Sequence, residues 1–193
     1  MEITPAIRRS LDQAGIYRQF HTRSLTDFGL LGVGYAEWIR ENGPKMMQEG
    51  GLVVCLGDGQ LDEIKMVARS FHLNGVGSVV RTLSQLSFML DTPDGREDLH
   101  EFCKALFVTP AQAGRRGCPL SWFDMDKVSS CLRERVEQGH SVFLYWAHDK
   151  GLDVTDPLYQ WWDQDFVSWI KDKGTLLTKQ QVVSLGQKKE KVI

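Results

Sequence analysis

The sequence is short of the features that mark most specialised protein classes. It has six prolines in 193 residues and no low-complexity tract, which argues against long disordered segments. No apolar stretch approaches ~18 uninterrupted residues, so no membrane span is expected. The richest run, Val79 to Leu90, is broken by Arg81, Thr82, Ser84 and Gln85. The first residues lack the charged-then-apolar plan of a secretory signal. The four cysteines, Cys55, Cys103, Cys118 and Cys131, form no C-x-x-C pair. Together these features predict a cytoplasmic protein whose thiols behave as small hydrophobes.

Charge of one sign is also missing. The formal net charge is -2, whereas a dedicated nucleic-acid binder draws most of its affinity from a basic excess. Nucleic acid is therefore the weakest of the partner readings, resting on Arg115, Arg116 and the terminal lysines. None of the five histidines pairs at the i, i+4 spacing that sets two zinc ligands on one helix face. No metal site and no cofactor is predicted. Asp149, Asp153, Asp156, Asp163 and Asp165 lack the alternation of a calcium loop and read as solvated loop and helix-start charge.

What the chain does have is ordinary globular composition, with 42% hydrophobic and 25% charged residues. Its length suits one domain that needs no disulfide or metal to fold. The strongest local pattern is a series of amphipathic runs that stop at glycine: Asn42-Gly43-Pro44, Asn74-Gly75, Gln138-Gly139 and Lys173-Gly174. Glycine past a helix end adopts the left-handed conformation without steric cost.

Helices are predicted from about Pro5, from Ser24 or Thr26 to Asn42, from Asp58 or Gly59 to Asn74, from Ser78 to Asp91, from Arg96 to Val108, from Phe123 to Gln138, and from Thr155 or Asp156 to Lys173. Val79–Leu90 reads as the central buried helix. Leu52–Leu56 and Val142–Trp146 are short apolar runs that suit strands but could join helices. The expected fold is mainly α, a single-domain bundle of about seven helices with a minor two-stranded element. An α+β domain is the alternative. Residues 1–186 form the domain and 187–193 a basic C-terminal tail.

Three patterns invite a chemical reading. Gly57-Asp58-Gly59, after an apolar run and before a helix, could present backbone N–H groups to a phosphate. It lacks the third glycine of a dinucleotide fingerprint and the lysine and hydroxyl of a phosphate loop, so a capped turn is the simpler reading. Gly29, Gly32 and Gly34 could line a ligand cradle, but close helix packing or a kink explains them more simply. Cys118 follows Arg115 and Arg116 in an irregular loop, where cations would favour its thiolate, yet no base can be placed beside it.

The aromatic residues are the most unusual feature. More than half of the six Trp, four Tyr and nine Phe fall between Trp122 and Trp169. Trp161 and Trp162 are adjacent and cannot share one narrow helix face. A large aromatic core competes with a binding surface. On the second reading the protein is a non-catalytic interaction module (adaptor, chaperone or assembly subunit) with a protein partner held by Trp146, Tyr159, Trp161, Trp162 and Trp169. Arg115, Arg116 and Cys118 would add a loop contact. The alternative is a small enzyme or ligand-binding protein with its site near Gly57–Gly59 or Cys118.

Overall fold

Three of the five strands are apolar on both faces, and that one property sets the architecture. In a computed structural model, which describes residues 3–57, 59–109, 120–146 and 162–190, β1 (Gly51–Leu56), β3 (Ala105–Thr109) and β4 (Ser141–Trp146) are buried almost throughout. Strands of this kind belong in a parallel sheet covered by helices on each side. Here they join β2 (Ser78–Thr82) and β5 (Gly174–Thr178) in a five-stranded sheet of order β2-β3-β4-β1-β5. Every pairing is parallel.

The helices are α1 (Pro5–Gln13), α2 (Gly29–Glu49), α3 (Leu61–Leu73), α4 (Leu83–Asp91), α5 (Pro93–Glu97), α6 (Trp122–Glu137), α7 (Gln164–Lys173) and α8 (Lys179–Glu190). Short 3-10 turns occupy Arg18–Phe20 and Leu25–Phe28, and a π turn occupies Asp98–Phe102. From β1 the chain crosses the sheet one way to β2, then returns through β3 and β4 and passes β1 to reach β5. Crossovers between parallel strands are right-handed, so the reversal sends α3 to one face and α4, α6 and α7 to the other.

The two cores follow from this division. On one side Leu52, Val54 and Leu56 of β1 and Val142, Leu144 and Trp146 of β4 pack under α4, α6 and α7. On the other, Val53, Cys55, Phe143 and Tyr145 pack under α1, α2, α3 and α8. Phe107 and Phe143 stack at 4.3 Å between ring centres, and Phe71 of α3 meets both rings edge-on at 5.9 and 5.5 Å.

This architecture corrects the expected helical bundle. The chain is α/β, and all five strands are structural members. Val79–Leu90 is not one buried helix. Ser78–Thr82 pairs with β3, and α4 begins only at Leu83. Thr82 and Gln85 form a reciprocal capping box, with Gln85 N donating to Thr82 Oγ1 at 3.2 Å and Thr82 N to Gln85 Oε1 at 2.9 Å. Residues 105–109, expected at the end of a helix, are the buried strand β3. The predicted stop at Gly43-Pro44 is passed over. α2 carries Pro44 inside it and ends at Gly50, whose φ is 72°. The stops at Gly75 and Gly139 are present, with φ of 80° and 76°. The basic tail is in part helical, since α8 extends to Glu190.

Burial of Arg135 could not be read from its type. The side chain is fully buried, and it donates to the carbonyls of Leu99 and Cys103. It thereby ties α6 to the last turn before β3 and satisfies carbonyls that a helix end leaves open.

Of the three predicted glycines of α2, Gly32 and Gly34 serve packing, while Gly29 has a φ of 64° and nothing against it. A Cβ on Gly32 would lie 1.8 Å from Leu25 O, and one on Gly34 would lie 1.8 Å from Val182 O of α8. From the α8 side, a Cβ on Gly186 would lie 2.4 Å from Leu30 O. Backbone faces backbone at this crossing and neither helix can yield locally. Gly34→Ala is therefore expected to lower stability by about 1–3 kcal/mol, the usual range for overpacking. The measurement is the midpoint of urea unfolding, and an unchanged midpoint would show that the helices separate freely.

Candidate functional site

In open α/β sheets the crevice lies beyond the carboxyl ends of the strands, where neighbouring connections leave in opposite directions. Here that point lies between β1 and β4. The connection from β1 goes to the α3 face and the one from β4 to the α7 face. Two features occupy this edge: the turn 57–60 after β1, and a broad cleft beside it.

Asp58, the cap residue the sequence suggested, lies outside the described residues, and the residues on either side of it are held by hydrogen bonds. Gly57 (φ 112°) and Gly59 (φ 73°) supply the left-handed positions of the turn, and Gly57 N donates to Trp146 O at 2.9 Å. Gln60 then folds inward and is completely buried. Its Nε2 donates to Leu56 O at 2.5 Å and to Gly57 O at 3.1 Å. Its Oε1 accepts from the Tyr35 hydroxyl at 2.8 Å. Tyr35 is itself buried beside Cys55, and its hydroxyl is held far above the usual tyrosine range by desolvation. The first turn of α3 carries Asp62 and Glu63. Burial raises the Glu63 carboxyl, an effect that nearby Lys179 partly offsets. Lys179 reaches the turn from the start of α8, its Nζ 3.6 Å from where a Cβ on Gly59 would sit. The α3 N-terminus thus faces its own carboxylates, which already complement the helix dipole.

The cleft has a volume of about 1110 Å³ and spans the carboxyl ends of β1 to β4. One wall is the end of α1, with Asp12 and Gln13, and the segment after it, with Gly15 and Tyr17. Leu61 and Lys65 of α3 form a second wall, and Ser84, Gln85, Phe88 and Met89 of α4 a third. Val80, Arg81, Thr82, Thr109 and Tyr145 make the floor. Arg81 is held by Val80 O at 2.8 Å, Gln13 O at 3.0 Å and the Met89 sulfur at 3.3 Å. Lys65 lies 4.9 Å from the centre of the Tyr17 ring, and burial lowers its pKa. Tyr17 and Phe88 are 60% and 70% exposed, more than the size of either side chain would lead one to expect.

The predicted site residues are only partly brought together. Trp146 lies in the core between β4 and the α6–α7 layer, 1% exposed. Trp162 is 4% exposed and stacks on Phe166 at 4.4 Å, so it presents no free apolar face. Trp169 is partly buried against the same core and stacks on Phe166 at 5.6 Å. Tyr159, Trp161, Arg115, Arg116 and Cys118 lie outside the described residues. Cys55, Cys103 and Cys131 are unpaired and buried. Burial pushes the thiols of Cys55 and Cys131 up to about 12 and about 11, which disfavours thiolate chemistry at both. Among the described residues no three His, Cys, Asp or Glu side chains gather as a metal site, and no helix is long and apolar enough to cross a membrane.

No protein-family model and no curated protein matches the sequence. Among solved structures, the chain is similar to AMPPCP-bound DnaA from Aquifex aeolicus. The two align with a TM-score of 0.55 at 8% identity, over 74% of this chain and 44% of that one. At this identity the likeness concerns the fold alone, a parallel α/β sheet covered by helices on both faces. The chain spans less than half of the DnaA chain it matches.

Two outcomes test the closed turn. Replacing Gln60 by Met strands the buried Tyr35 hydroxyl and the carbonyls of Leu56 and Gly57, at about 1–3 kcal/mol for the stranded groups. Adding Tyr35→Phe removes one stranded group, so the double variant should be less destabilised than the sum of the singles by about 0.5–3 kcal/mol. Urea unfolding of the four proteins measures this, and strict additivity would break the coupling. The second outcome concerns pH. Because Glu63 is raised, the folded state holds that proton more tightly than the unfolded state. Its contribution is therefore lost as pH rises through the raised value. Glu63→Gln should be more stable than the parent at neutral pH, and the difference should vanish below about pH 4, where the unfolded glutamate is also protonated.

Proposed function

We propose that the chain is a non-catalytic interaction module, an adaptor or assembly subunit, built on a P-loop-type fold that does not use a nucleotide. The closed turn after β1 carries this reading. The DnaA structure is of the AMPPCP-bound protein, which raises the question of whether the corresponding edge of this chain suits such a ligand. In P-loop proteins a glycine-rich loop cradles phosphates with its backbone N–H groups, a lysine and a hydroxyl open the following helix, and an acid from a neighbouring strand helps hold magnesium.

The residues here do not fit that chemistry. The interior of the turn is filled by the Gln60 amide. The helix opens with Leu61, Asp62 and Glu63, which would repel phosphate oxygens. Strand β3 ends in Val108 and Thr109 where a metal-holding acid would be wanted. The exposed Tyr17 and Phe88 at the cleft add to the interaction reading, since exposed aromatics are frequent binding anchors. The unpaired, buried cysteines agree with a reducing cytoplasmic setting. One observation favours a second reading, a ligand-binding protein: a concave cleft lies at the carboxyl edge of the sheet, where ligands bind in open α/β folds.

Thermal unfolding with and without magnesium and ATP tests the proposal. A ligand present at about a hundredfold over its Kd adds about 2.7 kcal/mol of stability. The melting temperature is expected to stay unmoved at millimolar nucleotide. A saturable upward shift overturns the reading.

A further inference from the structure

We propose that the cleft at the carboxyl edge of the sheet is a docking site for an acidic peptide segment bearing aromatic or large aliphatic side chains, an inference that rests on the interaction-module reading above. The first support is charge. The cleft adjoins a smaller depression of about 420 Å³ on the α1 side, and Asp12 belongs to both walls. The cleft's own walls balance Lys65 and Arg81 against Asp12 and Asp98, with Lys65 also paired to Asp62 at 4.0 Å and Asp98 already acting on Arg81. The basic excess therefore comes from Arg8, Arg9 and Arg18 of the adjoining depression. This local positive excess sits on a chain whose net charge is -2. Asp12 is already matched by Arg18 at 3.6 Å. Among the described residues no carboxylate lies within ion-pair distance of Arg81. Its three bonds to Val80 O, Gln13 O and the Met89 sulfur leave N–H donors unused on a guanidinium. A carboxylate entering the cleft would meet those remaining donors.

The second support is the apolar lining. Tyr17 and Phe88 both line the cleft and both stand largely in water. Leu61, Val80 and Met89 continue the apolar surface between them. Covering two exposed aromatics is worth more than any rim charge pair, so these rings are the anchors and the cations select among partners. A cleft of about 1110 Å³ takes several peptide side chains, where a pocket of a few hundred Å³ takes one small molecule. A polyanionic nucleic acid suits the site less well. Asp12 and Asp98 lie on its walls, and the chain as a whole lacks the basic excess that gathers phosphates at physiological salt.

The test is selection from a random-peptide display library against the immobilised full chain. Enriched sequences should combine Asp or Glu with Phe, Trp or Leu. The leading peptide, made synthetically, should bind about tenfold more weakly to Phe88→Ala, as expected for loss of an anchor. It should also bind more weakly to the double variant Arg8→Glu, Arg9→Glu, and more weakly to the parent as salt rises. All three substituted side chains are exposed, and circular dichroism verifies that each variant folds. No enrichment, enrichment without acidic bias, or unchanged binding to Phe88→Ala overturns the proposal. So does a fluorescent oligothymidylate that binds more tightly than the leading peptide, which would assign the cleft to single-stranded nucleic acid. The two readings fail separately. A nucleotide-induced melting shift removes the interaction module whatever the library yields. A partner retained equally by the parent and by Phe88→Ala removes only the cleft as its seat.

Discussion

Strand β1 is paired on both edges and packed on both faces, and the remaining elements are arranged around that fact. Its neighbours β4 and β5 arrive late in the chain. The sheet is therefore completed only when residues more than 80 positions apart, such as Gly51 and Ser141, come into register. A strand enclosed in this way can offer chemistry only at its ends. The carboxyl end of β1 lies where the chain's crossovers reverse direction, so the turn 57–60 and the cleft beside it take their position from topology. Pairing through non-local contacts also makes the fold expensive in loop-closure entropy. That favours stiff apolar strands and aromatic packing such as the Phe71–Phe107–Phe143 group.

The sequence was legible where a local rule decides the outcome. Thr4 caps α1 with Pro5 in the first turn, and Gly75 and Gly139 end their helices at left-handed positions. It was misleading where a strand and a helix share an edge. Ser78–Thr82 and Leu83–Asp91 follow one another directly, and helix periodicity fits across both. The informative residues were the β-branched Val79, Val80 and Thr82 and the Thr82–Gln85 capping box, which together mark a strand that ends where a helix begins. Doubly buried strands show no alternation, so Ala105–Thr109 had no period-two signal to separate it from the preceding helix. The aromatic enrichment left a core and a binding surface in competition, and the described Trp146 and Trp162 lie in the core, as aromatic area favours. Tyr17 and Phe88, the aromatics left in water at the cleft, stand alone in their segments and gave no compositional signal.

The turn after β1 shows how few residues separate a phosphate-binding edge from a closed one. Backbone N–H groups at a helix start need an acceptor, and an anion and a side chain compete for that role. In this chain no described side chain caps the start of α3, and its surroundings are acidic. Asp62 and Glu63 sit in the first turn of α3, and the Gln60 amide bridges Leu56, Gly57 and Tyr35 beneath it. The Gln60 amide satisfies two buried carbonyls and a buried hydroxyl that would otherwise be costly. The likeness in fold to DnaA therefore extends to the path of the backbone and stops short of the side chains that fold-level similarity is often taken to imply.

The cleft depends on a segment that is not part of the sheet. β2 is an edge strand, and an open edge invites pairing with other chains. The chain after α1 covers it: Val80 N donates to Ala14 O at 2.7 Å, and Arg81 holds Gln13 O. Gly15 lets the chain turn there, with φ of 82° and a Cα so close to the strand that a Cβ would lie 2.4 Å from Val80 O. The same three residues that protect the edge bring Tyr17 and Asp12 to the cleft mouth, so edge protection and the shape of the site are one device. Arg81 joins the two roles. Part of its guanidinium is committed to holding the covering segment, and the rest faces the cleft. An acidic group bound there would strengthen the charge balance at the residue that fastens the wall, so occupancy of the cleft and order of the N-terminal segment should rise together.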